Sequence, residues 1–426
     1  MPSFVLISGF IFLLLMRTPV SFAMGIATLA ALLTTDYPLK VMAQQIASGI
    51  QSYPLMAVPF FIFAGNMMNA TGVTNRIFAF AKALIGHMKG GLAQVNVLGS
   101  MIFAGISGAA LADVGGLGTI EIKAMKEAGY SDRLTLAVTA ASSVVGPIIP
   151  PSIILVIYAV QAEESIGRLF LAGVLPGVTI GCLIMLLIYY LAATGREKCS
   201  VAEKPTLKKI LKTLWKTFFA IMAPVVILWG IIGGIVTPTE AGALAVFYAV
   251  FVGLLYGDIR FKELPKAIIE SVLVTSLIML LIGIATVMGW ILAVERLPYE
   301  LAKLLLSLTS NKYLLLLIIN IFLLFLGCVL ESVPALIIMV PVLLPLVQEL
   351  QINKIHFGVV ICYNLIVGLI TPPMGISLYL VSSLVKMTFE DAVRAVFPFL
   401  LILILSLFII TYIPAISLFL PNLLMP

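Results

Sequence analysis

The stretch Ser143–Ile153 reads SVVGPIIPPSI. It lies in a run without a charged residue between Arg133 and Glu163. Such a run has the makings of a membrane-spanning helix, which needs about 20 apolar residues. Its proline pair cannot continue one. Neither proline brings an N–H to the helical ladder, and each pushes the residue before it out of the helical range. A second pair, in LIVGLITPPMG (Leu365–Gly375), sits in another uncharged run, and no other Pro-Pro pair occurs among the 426 residues.

The composition around these breaks is 62% hydrophobic and only 10% charged. That is far from a soluble domain and points to an all-α polytopic membrane protein. A β-barrel would show short alternating segments instead. Residues 196–216, REKCSVAEKPTLKKILKTLWK, hold seven Lys/Arg and two Glu. A basic connection of this kind reads as cytoplasmic. No soluble basic domain is present to bind nucleic acid. Cys182, Cys199, Cys328 and Cys362 have neither paired nor metal-ligand spacing. The N-terminal run MPSFVLISGFIFLLLMR lacks a positive n-region and reads as a retained helix. No connection is long enough for a soluble catalytic domain. HExxH and GxxxxGK[ST] are missing, and GGLG (Gly115–Gly118) lacks the lysine of a phosphate loop. The chain is expected not to be an enzyme.

The two proline pairs belong to a longer pattern. Gly146-x-x-x-Pro150-Pro151 recurs 222 residues later as Gly368-x-x-x-Pro372-Pro373. Stepping back 41 residues from each glycine reaches Gly105, which opens GISGAALADVGG, and Gly327, which opens GCVLESVPAL. Thr18-Pro19 and Thr237-Pro238 add a third pair at nearly the same offset. Landmarks that keep order and spacing mark an internal repeat. The pattern predicts a first repeat over 1–195, a linker over 196–216 and a second repeat over 217–426. Each repeat is expected to hold a re-entrant helical hairpin (92–120 and 313–347) and a broken helix (134–160 and 357–385). Single spans are expected over 3–35, interrupted at Arg17-Thr18-Pro19, and over 395–421. The charged segment Glu121–Arg133 has a nearly bare counterpart at Gln348–His356. Opposite membrane sides would explain that difference, and inverted repeats are a hallmark of secondary transporters.

A broken helix in a membrane leaves carbonyl oxygens unpaired, which only protein or a polar cavity can satisfy. Cages of such oxygens suit a hard cation such as Na⁺, and half-helix N-termini suit a carboxylate. Asp113 is the only charge between Lys89 and Glu121, and Glu331 the only one between Lys312 and Glu349. Intramembrane acids are costly and mark functional sites, or else cap half-helices. Ser107, Ser142, Ser143, Ser332 and Thr371 are hydroxyl candidates near the breaks. His87 and His356 lie at segment edges and read as surface residues.

FAGISGAALADVGGLGTIEIKAM, SSVVGPIIPPS, GLITPPMG and the earlier VPFFIFAGNMMNATGVTNRIFAFAKALIGHMKGG together resemble the large membrane subunit of tripartite ATP-independent periplasmic (TRAP) transporters. The resemblance spans nearly the whole chain. It implies an elevator-type transporter in the bacterial cytoplasmic membrane, with a mobile domain holding both hairpins. It implies two partners, a small four-helix membrane subunit and a periplasmic substrate-binding protein. It also implies Na⁺-driven import of an organic acid such as a C4-dicarboxylate, sialic acid or a related sugar acid. One sodium site would then draw on Ser107, Ala109, Gly146, Ile149 and Pro151, and a second on Gly327, Gly368, Thr371 and Met374. Asp113, Glu331, Ser143 and Ser332 would organise the site or stand near the substrate. The family often has Ser-Gly-Ser where this chain has Ser107-Gly108-Ala109, so one hydroxyl is missing here. The competing expectation is a stand-alone sodium- or proton-coupled dicarboxylate or citrate symporter.

Overall fold

The computed structural model describes residues 2–197, 199–200, 204–257, 264–309 and 311–425. Among them there are helices and no strand. The chain opens with α1 (Pro2–Leu15), α2 (Val20–Leu32), α3 (Lys40–Ile50), α4 (Ala57–Ala70) and α5 (Val73–Ile85). The segment expected to form the first hairpin is α6 (Gly91–Ser107), α7 (Ala110–Asp113) and α8 (Thr119–Glu127), with a wide π turn at Val114–Gly118. The first broken helix is α9 (Asp132–Ser143) and α10 (Ile153–Ala162), followed by α11 (Ile166–Ala193). After the linker come α12 (Leu207–Ile232), α13 (Pro238–Tyr256), α14 (Leu264–Val294) and α15 (Leu297–Leu308). Helices α16 (Lys312–Val329) and α17 (Ser332–Glu349) fill the second hairpin segment, and α18 (Lys354–Gly368) and α19 (Ile376–Val385) the second broken helix. The chain ends with α20 (Phe389–Tyr412) and α21 (Pro414–Leu424).

Seven of these helices are long and apolar enough to cross a membrane, or eight if the pair α3 and Tyr53–Ala70, bent by 62°, counts as one span. Several helices, long and short, start on side-chain caps. Ser131 accepts from Leu134 N at 3.1 Å, Ser165 from Arg168 N at 3.3 Å, and Asn353 from Ile355 N at 2.9 Å. Each cap contributes on the order of 1 kcal/mol. Thr237 and Glu240 form a reciprocal capping box at the start of α13.

Several expected spans are corrected. Residues 3–35 break at the expected Arg17-Thr18-Pro19, but into two helices that pair with each other instead of one span. Arg17 takes φ 61 and α2 folds back on α1, bringing Ala27 Cβ to 3.7 Å from where a Cβ on Gly9 would stand. Residues 395–421 likewise divide at Ile413 into α20 and α21. The expected linker 196–216 turns helical at Leu207, and its positions 198 and 201–203 lie outside the described residues. The helices α3, α5 and α15 have no counterpart in the apolar spans expected from sequence, because they are short and amphipathic rather than uniformly apolar. The linker is also tied down: Tyr130 Oη donates to Ser200 O at 2.7 Å and accepts from Leu92 N at 2.9 Å, at the start of α6.

Candidate functional site

The first break runs from Val144 to Ser152. Val144 and Val145 still bond back into α9, and Ser152 caps α10 by accepting from Leu155 N and donating to Pro147 O. Between them, the carbonyls of Gly146, Ile149 and Pro151 accept no hydrogen bond from a described residue. The Pro150–Pro151 bond is cis, as is Pro372–Pro373. The Ile149 side chain fills the space beside Gly177 of α11, so only its backbone can face a ligand. The α6 helix ends at Ser107; Gly108 turns the chain at φ 60, and Ala109 is extended. A Cβ on Gly108 would lie 2.6 Å from Pro151 O. The five residues of the first expected sodium site therefore come from two segments whose backbones touch.

In the second break, from Leu369 to Gly375, the Gly368 carbonyl accepts from Thr371 N at 3.0 Å. The carbonyls of Gly327, Thr371 and Met374 take no such bond from a described residue. A Cβ on Gly368 would stand 2.6 Å from Gly327 Cα, so α16 and α18 touch through bare backbone. Small residues permit that approach. The Thr371 hydroxyl is turned onto its own helix, donating to Val367 O at 2.8 Å, and the Met374 side chain is 59% exposed. The Met374 side chain has no oxygen to offer, so only its backbone can join a cage, whereas the Thr371 hydroxyl keeps the lone pairs of its oxygen.

A cavity of about 270 Å³ opens between the two broken regions. Its walls are Gly108–Ala112, Pro147, Ile153 and Ile154 from the first half, and Glu331–Pro334 with Leu369 from the second. Helices α4 and α14 close it with Ile62, Gly65 and Asn66 and with Val274, Leu277, Ile278 and Leu281. Glu331 precedes α17 without capping it by its side chain, so the capping alternative does not hold for this acid. Ser332 stands at the start of α17, and Asn66 donates to Ser271 at 2.8 Å. Among the described residues, no Lys, Arg or His lines the cavity. An anion held here relies on amides at the α17 N-terminus, on hydroxyl and amide side chains, and on any bound cation. A second, more polar cavity of about 610 Å³ shares Asn66 and Ala112 with the first and reaches Lys266 and Glu270.

The remaining candidates lie off the cavity, Asp113 and Ser143 against Gly146 of the first break, with Asp113 Cβ 3.9 Å and Ser143 O 3.4 Å from where a Cβ on Gly146 would stand. Asp113 is buried away from the cavity and accepts from Ser100 Oγ at 2.9 Å. Ser143 donates to its own helix at Ala140 O, and Ser142 to Asn96. His356, expected at the surface, is 3% exposed; its ring bonds Ser417 Oγ and Thr411 O because α20 and α21 close over it. One residue was missed. Glu121 was read as part of the charged segment Glu121–Arg133, yet it is buried, and neither of its oxygens has a hydrogen-bond partner among the described residues. The signal lay in its spacing: Leu117, Glu121 and Met125 share one helical face, and all three are buried.

Residues 7–416 match the family model described as tripartite ATP-independent periplasmic transporter, DctM component. The chain is 41% identical over 419 residues to the sialic acid TRAP transporter large permease protein of Vibrio cholerae, covering 98% of each. It is 37% identical over 395 residues to the C4-dicarboxylate TRAP transporter large permease protein of Pseudomonas aeruginosa, covering 92% of each. In fold it is similar to the YdaH transporter of Alcanivorax borkumensis, with a TM-score of 0.64 at 14% identity and coverage of 95% and 97%. The cavity, the paired breaks and these likenesses agree: the chain is a multi-pass protein of the bacterial inner membrane and belongs to the large permease (DctM) family of TRAP transporters.

Proposed function

We propose that this permease imports an organic acid by coupling it to Na⁺, together with a small four-helix membrane subunit and a periplasmic substrate-binding protein. The substrate class is that named for its relatives: sialic acid or a related sugar acid, or a C4-dicarboxylate. The observation that carries the reading is the cavity between the two breaks, flanked on both sides by carbonyls that accept no hydrogen bond from a described residue. Ser107, Ala109, Gly146, Ile149 and Pro151 form one backbone cage, and Gly327, Gly368, Thr371 and Met374 the other. Na⁺ held in both cages supplies the positive charge that the cavity lacks, so ion and acid bind together. Glu331 and Ser332, on the cavity wall, select among acids.

The two halves act as inverted repeats, supported by the paired landmarks, and the hairpins and broken helices move as one body. Bare-backbone contacts at Gly108–Pro151 and Gly327–Gly368 tie each hairpin to its broken helix. The interface with α4 and α14 holds cavities instead. An elevator motion along that interface carries the site across the membrane.

The test is uptake of radiolabelled sialic acid and succinate into proteoliposomes holding both membrane subunits. The expected result is accumulation that needs an inward Na⁺ gradient and added binding protein. Uptake without the binding protein supports the stand-alone symporter instead. Uptake indifferent to Na⁺ removes the two cages from the mechanism.

A further inference from the structure

Each hairpin is joined to its broken helix by a buried asparagine. In the first repeat Asn96 of α6 meets α9: its Oδ1 accepts from Ser142 Oγ at 2.7 Å, and its Nδ2 donates to Thr139 Oγ1 at 2.9 Å. In the second repeat Asn364 of α18 meets Asn320 of α16, its Nδ2 donating to Asn320 Oδ1 at 2.8 Å and to Asn320 O at 3.0 Å. Asn320 Nδ2 donates in turn to Thr411 Oγ1 on α20 at 3.1 Å. Asn96, Ser142, Asn320 and Asn364 are all fully buried. None of them lines the cavity between the breaks or its polar neighbour.

The placement of these joints follows the repeat. Ser142 and Asn364 are 222 residues apart, the offset of the proline pairs, and each precedes its break glycine, Gly146 or Gly368, by four residues. On the facing arms, Asn96 precedes Ser107 by eleven residues and Asn320 precedes Gly327 by seven. Those spacings are close to whole helical turns, so each asparagine shares a helix face with the residue that enters the cage. The same joint is made from a hydroxyl and an amide in one repeat and from two amides in the other.

At the cages themselves no side chain sets the register. Gly327 meets Gly368 as bare backbone, and Gly108 lies against Pro151 O in the same way. Such contacts resist overlap but do little to resist sliding. A buried hydrogen bond is directional, and breaking it leaves a desolvated polar group. A single buried asparagine fixes the register of packed helices on this principle. A carbonyl cage needs that precision, because a hard cation holds its oxygens within a narrow range of distances. We propose that Asn96 with Ser142, and Asn320 with Asn364, are positioning residues that set the spacing of the two Na⁺ cages without touching the ion. The proposal rests on the Na⁺-coupled reading of the breaks. It makes Ser142, a hydroxyl candidate by sequence, a spacer and not a ligand.

The experiment measures uptake into proteoliposomes holding both membrane subunits against Na⁺ concentration, at saturating loaded binding protein, with thermal unfolding of each variant alongside. Asn320→Leu keeps the shape and removes the amide. It is expected to raise the Na⁺ concentration for half-maximal uptake about tenfold, the usual scale for groups that hold a metal's ligands in place, with the maximal rate little changed. Combining it with Asn364→Leu removes donor and acceptor together, which is nearly neutral for stability. The melting temperature of that double variant is expected to recover toward the parent's while its Na⁺ requirement stays high. Recovery of both together identifies a purely structural role and overturns the proposal. Ser142→Ala deletes one hydroxyl at the first cage and is expected to shift the Na⁺ requirement in the same direction. A Na⁺-dependent parent whose folded variants keep its Na⁺ requirement overturns the spacers and leaves the cages standing. A parent indifferent to Na⁺ overturns the cages and the spacers with them.

Discussion

A methyl group added to Gly368 would stand 2.6 Å from Gly327 Cα, against backbone that has no rotamer to yield. The same addition at Gly146 meets nothing nearer than 3.4 Å. The two glycines look equivalent in sequence, so the structure makes them unequal. Gly368→Ala is expected to destabilise the protein by about 1–3 kcal/mol, the usual range for overpacking, and to abolish Na⁺-driven uptake. Gly146→Ala is expected to keep its melting temperature within error. Thermal unfolding of the two variants side by side checks the difference; equal losses would contradict the packing. Gly108→Ala combines a φ of 60 with a carbonyl 2.6 Å away, and is expected to behave like Gly368→Ala. Glycine spacing announced these contacts, but not which of them is tight.

At the scale of elements, the breaks follow from local chemistry. Pro-Pro ends the ladder, and the helix that resumes needs a cap. Ser152 supplies it for α10 while also holding Pro147 O. Ser152→Ala is expected to lower stability by about 1–2 kcal/mol, with the loss read by thermal unfolding and only partly recovered in Ser152→Thr. A variant as stable as the parent would show that the prolines alone set the break. The α19 helix has no such cap and begins at Gly375 with φ 48. The buried network of α18 was hidden from sequence. His356 bonds Ser417 and Thr411, and Asn364 donates to Asn320, across residues far apart in the chain.

At the scale of the whole molecule, the elevator proposal requires the first hairpin arm to slide past α4. A Cβ on Gly116 would lie 2.8 Å from Asn69 Oδ1, which marks a point where the two bodies nearly touch. With the native cysteines replaced, Asn69→Cys combined with Gly116→Cys is expected to crosslink on oxidation. Uptake should then stop and return on reduction. Full uptake by the crosslinked protein would exclude sliding at this interface. Chain order alone determined that this is an apolar helical protein, with paired backbone breaks and acids placed where apolar residues were expected, because hydrophobicity, Pro-Pro and glycine spacing act locally. Only the tertiary structure decided which carbonyls lack amides, which glycines carry backbone contact, that Glu331 faces a cavity while Asp113 does not, and that Glu121 is buried. Those outcomes depend on which helices pack together across hundreds of residues, and that pairing leaves no mark on the spacing within any one of them.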